Sequence, residues 1–187
     1  MRLNKILKNA LLVISAGIIL TACATKKEVA VEAPKKEETK KEETKKEKEE
    51  VTKIEKIAGQ MQGDVYVGTD SVKYLADGVA DRVFFATNES ILTTASRETL
   101  RAQAAWLRAN SNITVVLEGH ADERGTREYN LALGERRANA AKDYLMTYGI
   151  SSDRISVLSY GKERPVDSGS NPLAWSKNRR SVTVKAN

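Results

Sequence analysis

Cysteine is almost absent from this chain. Cys23 is the only one, which excludes an internal disulfide and any paired-thiol chemistry. Stability must therefore come from a packed core. Histidine is equally scarce, with His120 alone. A metal site needs three or four converging ligands, and the chain has no His-x-x-x-His, no cysteine cluster and no nucleophile beside a paired base. The acids around His120, namely Glu118, Asp122 and Glu123, leave a metal-assisted or acid/base hydrolase as an alternative. A lone histidine at a strand end is more often a hydrogen-bonded structural residue, so neither an enzyme nor a cofactor is expected. A long apolar run is missing too, since Ala10 to Leu20 is too short for a permanent membrane-spanning helix. Charge of one sign is barely in excess: 31 Lys and Arg face 25 Asp and Glu. Three of the basic residues, Arg2, Lys5 and Lys8, precede the apolar run, so the remainder stands near +3. That is too little, and too dispersed, for a nucleic-acid partner.

What is present begins at that short run. A basic start, an apolar stretch and Leu20-Thr21-Ala22-Cys23 read as a cleavable export signal over residues 1–22. Small residues before the cysteine resemble a bacterial lipobox, which implies that the Cys23 thiol receives diacylglycerol and becomes the first residue. The same resemblance implies that Ala24, unlike an Asp there, permits transfer to the outer membrane. Two or more acyl chains anchor stably where one holds only marginally. The alternative is an uncleaved anchor with Cys23 an ordinary thiol.

From Lys26 to Glu50 the chain is nearly all Lys, Glu, Thr, Ala and Val, with Lys-Lys-Glu-Glu-Thr twice in tandem from Lys35 to Thr44. It lacks large apolar residues, so it cannot bury enough surface to offset the entropy of ordering. Residues 23–56 are expected to be a flexible linker behind the lipidated cysteine, although Glu37–Lys41 and Glu42–Lys46 would support a transient exposed helix. About 35 residues at ~3.3 Å each reach on the order of 100 Å. Residues 57–78 read as a partly ordered lead-in and 79–187 as one compact domain.

Within that domain Arg82 to Ala86 reads as a strand and Asn88 to Leu92 as a loop. Thr93 is the expected N-cap of a helix to about Ala109, with Leu100, Ala104 and Leu107 inward and Trp106 beside them. Asn112 to Glu118 alternates as a half-buried strand, with Ile113, Val115 and Leu117 on one face, ending at Gly119. Thr126 caps a second helix that stops before Gly149, with Leu131, Gly134, Ala138, Ala141 and Leu145 as its buried stripe. Arg154 to Tyr160 and Ser181 to Lys185 are the last strands, Val182 and Val184 sharing a face. This order implies an α+β sandwich, a mixed four-stranded sheet with both main helices on one face.

The densest chemistry is Glu118-Gly119-His120-Ala121-Asp122-Glu123-Arg124-Gly125-Thr126, followed on the helix by Tyr129-Asn130-Leu131-Ala132-Leu133-Gly134-Glu135-Arg136-Arg137-Ala138. Asp122 lies on the loop feeding the helix and Arg137 about three turns along it, so the two can face one pocket. A carboxylate and a guanidinium a few ångströms apart accept an ammonium and a carboxylate, the pattern of an amino-acid zwitterion. Equally, they can pair with each other as a structural salt bridge.

Together with Ser159-Tyr160-Gly161-Lys162-Glu163-Arg164-Pro165 and Ser176-Lys177-Asn178-Arg179-Arg180, these blocks resemble the OmpA-like peptidoglycan-binding family, specifically its lipid-anchored members. The resemblance covers roughly Val79 to Val184 plus the lipobox, and ordered blocks are more specific than any one motif. It implies an OmpA-like sandwich and binding of the diaminopimelate of wall peptides, with Asp122 taking the ammonium and Arg137 the carboxylate. Asn130 and Leu133 share the Arg137 side, and Glu123, Arg124, Gly125 and Thr126 line the pocket, partly through backbone. Asn88 stands where the family often has Asp, losing a charge but keeping hydrogen-bonding capacity. Arg179 and Arg180 either support the rim or sit at a solvated strand entry, and Tyr129 and Tyr160 are expected to pack. The resemblance further implies a non-catalytic link between outer membrane and peptidoglycan, facing the periplasm, with TolB and other Tol components as partners. A protein-interaction module without direct wall binding is the competing reading.

Overall fold

The computed structural model describes residues 59–186 together with Glu49, Thr52 and Glu55. The expected signal peptide, Cys23 and nearly all of the expected linker lie outside the described residues.

Two short hairpins come first: β1 (Met61–Gln62) with β2 (Val65–Tyr66), and β3 (Tyr74–Ala76) with β4 (Val79–Ala80). Then follow β5 (Arg82–Phe84), α1 (Thr94–Ala109), β6 (Thr114–His120), α2 (Arg127–Thr147), a 3-10 turn (Ser152–Arg154), β7 (Ile155–Gly161), α3 (Pro172–Asn178) and β8 (Arg180–Ala186). The main sheet has the order β5-β8-β6-β7, in which only β6 and β7 run parallel. It is the expected mixed four-stranded sheet carrying the two main helices.

Local chemistry accounts for both long helices. The Thr93 hydroxyl accepts from the Ser96 N–H at 3.1 Å, and Ser96 donates its own hydroxyl to Phe84 O at 2.9 Å, which docks the start of α1 onto β5. Leu100, Ala104 and Leu107 are buried as expected and meet Val83, Val115, Leu117 and Ile155 of the sheet, with Trp106 packed at the margin. Each such large aliphatic burial is worth about 1.5–3 kcal/mol. Beyond α1, the Arg154 guanidinium gathers the carbonyls of Leu107, Asn110 and Ile113 at 3.0, 2.9 and 2.7 Å, closing the turn into β6.

Thr126 caps α2 through the Tyr129 N–H at 3.2 Å, and Gly149 ends it in the left-handed region at φ 82°. The buried stripe of α2 is Asn130, Leu133, Gly134, Arg137, Ala138, Ala141 and Leu145. Leu131 corrects the expected stripe, being only half-buried. Gly134 is where α2 comes closest to β6: a Cβ on Gly119 would strike the Gly134 carbonyl, and one on Gly134 would strike Ser159 Oγ and the Gly119 carbonyl. Glycine costs a helix interior roughly 0.5–1 kcal/mol against alanine, and here backbone-to-backbone approach requires it.

The end of β6, the facing of β8 and a third helix go beyond what the sequence led us to expect. Strand β6 runs on to His120, because a parallel partner, β7, extends beside it with a register shift at Gly119/His120. In β8 the residues facing the helices are Ser181 and Thr183, paired with Val83 and Leu117; Thr183 Oγ1 bonds Gln103 of α1 at 2.7 Å. Val182 and Val184 share a face as expected, and it is the far one, as strand alternation dictates. On that face Tyr66 of β2 packs edge-to-face on Phe84 at 4.7 Å. Finally α3, which the strand-and-helix reading omitted, starts from Asn171, whose side chain accepts from Ala174 N–H at 3.0 Å, with Pro172 in the first turn.

Candidate binding site

The site lies where the end of β6, the start of α2, the loop after β5 and the end of α3 converge. Asp122 follows β6 directly and is 7% exposed. Its Oδ1 accepts the Arg124 backbone N–H and Nε–H, both at 3.1 Å. Its Oδ2 accepts Arg124 Nη2 at 2.8 Å and Arg179 Nη1 at 3.3 Å. Burial works against the charge of Asp122, but the Arg124 and Arg179 hydrogen bonds outweigh it and hold the carboxyl below its ordinary range.

Arg137 is completely buried. It donates from Nε to Glu89 O at 2.8 Å, from Nη1 to His120 O at 2.8 Å and from Nη2 to Ala86 O at 3.0 Å. The guanidinium lies 5.4 Å from the Phe85 ring. Burial, then the neighbouring Arg179, pushes its pKa down to about 10, with Asp122 opposing, so it stays charged at neutral pH. The direct Asp122–Arg137 salt bridge is not formed. Asp122 pairs with Arg124 and Arg179, while Arg137 binds backbone carbonyls of the loop after β5 and of the end of β6.

Around this pair, Asn130 is buried and donates to Arg124 O at 2.8 Å, and Leu133 is buried on the Arg137 side. Glu123 accepts Trp175 Nε1 at 2.9 Å. Lys162 Nζ reaches Glu123 O at 3.1 Å and Gly125 O at 2.7 Å, tying the loop to the end of β7. Gly125 adopts φ 91°, a conformation that suits glycine, and Thr126 spends its hydroxyl on the helix cap. Asn88 is exposed and left-handed at φ 57°, which asparagine tolerates.

The sequence motif that defines the OmpA family matches residues 84–179. The chain belongs to the OmpA family. It is 52% identical over 106 residues to the peptidoglycan-associated lipoprotein of Mesorhizobium japonicum, covering 57% of this chain and 63% of the relative. Against the protein of the same name from Pasteurella multocida it is 40% identical over 131 residues, 70% of this chain and 83% of the other. The match thus spans about three fifths of the first of these relatives. The crystal structure of the peptidoglycan-associated lipoprotein from Burkholderia pseudomallei is similar with a TM-score of 0.55 at 33% identity, over 56% of this chain and 89% of that one. The C-terminal domain of Helicobacter pylori MotB shares the fold alone, with a TM-score of 0.54 at 17% identity.

Within this OmpA-family site several residues play parts that the sequence did not reveal. Arg179 is buried, not solvated: beyond Asp122 it donates to Phe85 O at 3.1 Å and to Asp64 O. Trp175 stacks under the Arg124 guanidinium at 4.3 Å. The Asn-Pro start of α3 was the available signal for Trp175. Arg180, by contrast, turns to the opposite face of the sheet and donates to Asn178 O and Arg164 O. Tyr129 is 43% exposed with the Arg136 guanidinium 5.9 Å over its ring, whereas Tyr160 sits between the His120 ring at 5.6 Å and Arg164 at 3.8 Å. His120 is structural but not hydrogen-bonded through its ring, since both ring nitrogens are buried without a partner.

A cavity of about 240 Å³ opens elsewhere, near Tyr66, Phe84 and Thr99, and shares no residue with this site. Among the described residues no group of three or more His, Cys, Asp or Glu could hold a metal. Among the same residues no helix is long and apolar enough to cross a membrane.

Proposed function

We propose that this chain is an outer-membrane lipoprotein, acylated at Cys23, that grips peptidoglycan without a covalent bond and so ties membrane to wall. In this reading residues 1–22 are the export signal, 23–56 the tether, 57–78 a lead-in and 79–187 the wall-binding domain. The ligand is the diaminopimelate of the stem peptide, whose free end carries an ammonium and a carboxylate. Asp122 takes the ammonium. Arg137 has five N–H donors, three of them spent on carbonyls, and the remaining two serve the ligand carboxylate. Asn130, Leu133 and the Glu123–Thr126 loop form the walls, with Asn88 at the rim. Support comes from membership of the OmpA family, from relatives named for peptidoglycan association, and from the lipobox-like segment. The observation that carries the reading is that the Arg137 guanidinium bonds the His120 carbonyl, two residues before Asp122, and that Asp122 acts on its charge. TolB and the other Tol components are the protein partners this role implies.

Co-sedimentation with purified peptidoglycan sacculi tests the reading. Wild type should pellet with sacculi, and Asp122→Asn, nearly the same shape without the charge, should remain in solution while keeping a native circular dichroism spectrum. Folded wild type that stays in the supernatant would sink the assignment.

A further inference from the structure

An ionised carboxylate offers about four acceptor positions, and all four are occupied at Asp122. Oδ1 holds the backbone N–H and Nε–H of Arg124, and Oδ2 holds Arg124 Nη2 and Arg179 Nη1. An arriving ammonium therefore finds no free acceptor, and one of the two guanidinium groups must give way.

The two are not equally able to leave. The Arg179 side chain is 3% exposed and also serves the carbonyls of Phe85 and Asp64, so withdrawing it would strip buried acceptors of their donor. The Arg124 side chain is 42% exposed. Beyond Asp122, among the described residues, it lies over the Trp175 ring at 4.3 Å and donates one long hydrogen bond, to Thr87 Oγ1 at 3.4 Å. Its departure need not disturb the loop, because the Arg124 N–H can stay on Asp122 and its carbonyl can keep the bond from Asn130.

We infer that Arg124 is the gate of this site: its guanidinium fills the seat that a ligand ammonium takes on Asp122, and Trp175 is the shelf on which it rests. This deepens the zwitterion reading and rests on it. Binding is then an exchange of one cation for another, which keeps the buried carboxylate paired throughout. A ligand without a cation cannot compete for the seat, because a bidentate guanidinium outbids any neutral donor. Trp175 is fastened to the loop by its Nε1 bond to Glu123, so its ring stays in place and loses only its stacked cation when the gate opens.

The test uses the purified full chain in mild detergent, with free meso-diaminopimelate as probe, titrated by calorimetry and followed by Trp175 fluorescence in a Trp106→Phe background. Arg124→Ala should bind about tenfold more tightly than wild type, the worth of a charge-assisted contact that no longer competes. It should also associate faster. Arg124→Lys, a point charge in place of a fork, should fall between. Ligand should shift Trp175 emission in the chain that keeps Arg124 and leave it unchanged in Arg124→Ala. A probe that binds Arg124→Ala but not wild type would support gate and seat together. Weaker or equal binding by a folded Arg124→Ala, or unchanged emission when wild type binds, overturns the gate alone. Failure of every variant to bind overturns the zwitterion reading, and the gate with it.

Discussion

Acidification from pH 7.5 to 5 should remove about 2 kcal/mol of stability from this domain, through one residue. His120 is 2% exposed, both ring nitrogens lack partners, and its ring lies against Tyr160. Burial, then the positive charges of Arg180, Arg82 and Arg164, pushes its pKa down to about 3 from an ordinary 6.5. Glu118, 3.8 Å from Nε2, is the nearby acid that would favour protonation, and it does not prevail. The folded state thus keeps the ring neutral while the unfolded chain takes up a proton below about pH 6.5. Stability is complete above the unfolded pKa and falls as pH drops, by about 1.4 kcal/mol per unit, until the folded pKa is reached. Integrated to pH 5, the loss is about 2 kcal/mol, a sizeable part of the 5–15 kcal/mol typical of a domain. Because His120 is the only histidine, no other imidazole contributes to that slope. Urea denaturation at pH 7.5, 6 and 5 reads it directly, with His120→Phe as the control that keeps an aromatic beside Tyr160 and cannot titrate. Parallel pH profiles for wild type and His120→Phe would refute the reasoning.

Two further substitutions probe the frame. Arg137→Met strips donors from the buried carbonyls of Ala86, Glu89 and His120. Hydrogen bonds to a charged group are worth about 1.5–3 kcal/mol each and do not simply add, so a loss of about 4 kcal/mol is expected. Thermal circular dichroism should show a Tm lower by about 15–30 °C; a shift under about 5 °C would mean the carbonyls find other partners. Gly119→Ala drives a methyl group into the Gly134 carbonyl and should cost about 3 kcal/mol or more in urea denaturation. Gly149→Ala meets open space and pays only for its left-handed φ of 82°, about 1–2 kcal/mol. Equal costs for the two would contradict the close approach of α2 to β6.

What could be read from the sequence was what is local. Thr93 and Thr126 cap helices through N–H groups three residues ahead, and the Leu100, Ala104, Leu107 stripe follows from helical period alone. What escaped depends on distant chain. The end of β6 is set by its pairing with β7 across a shifted register. Alternation in β8 put Val182 and Val184 on one face without saying which face meets the helices, and it is Thr183 that reaches the core by bonding Gln103. The candidate site divides in the same way. Asp122 and Arg137 stood out by residue type and spacing, but their partners did not. Arg137 finds carbonyls 17, 48 and 51 residues away, and Arg179 finds Asp122 across 57.

These long reaches bear on how a domain without disulfides holds a site steady. Arg137, Arg154 and Arg179 each direct two or more nitrogens at carbonyls where a strand or helix ends. A planar guanidinium with five donors joins several loop ends at once, as a crosslink would. The cost is desolvation of the charge, visible in the lowered pKa of Arg137 and Arg179, for which burial is the first cause. Only Asp122 among the buried acids of the site offsets that charge directly, through Arg179. Removing Asp122 therefore also leaves Arg179 buried with less compensation. It follows that the surroundings of Asp122 are fixed on the Arg137 and Arg179 sides, and the proposed freedom to admit a ligand rests with the most exposed of these three guanidinium groups, that of Arg124, whose side chain is 42% exposed.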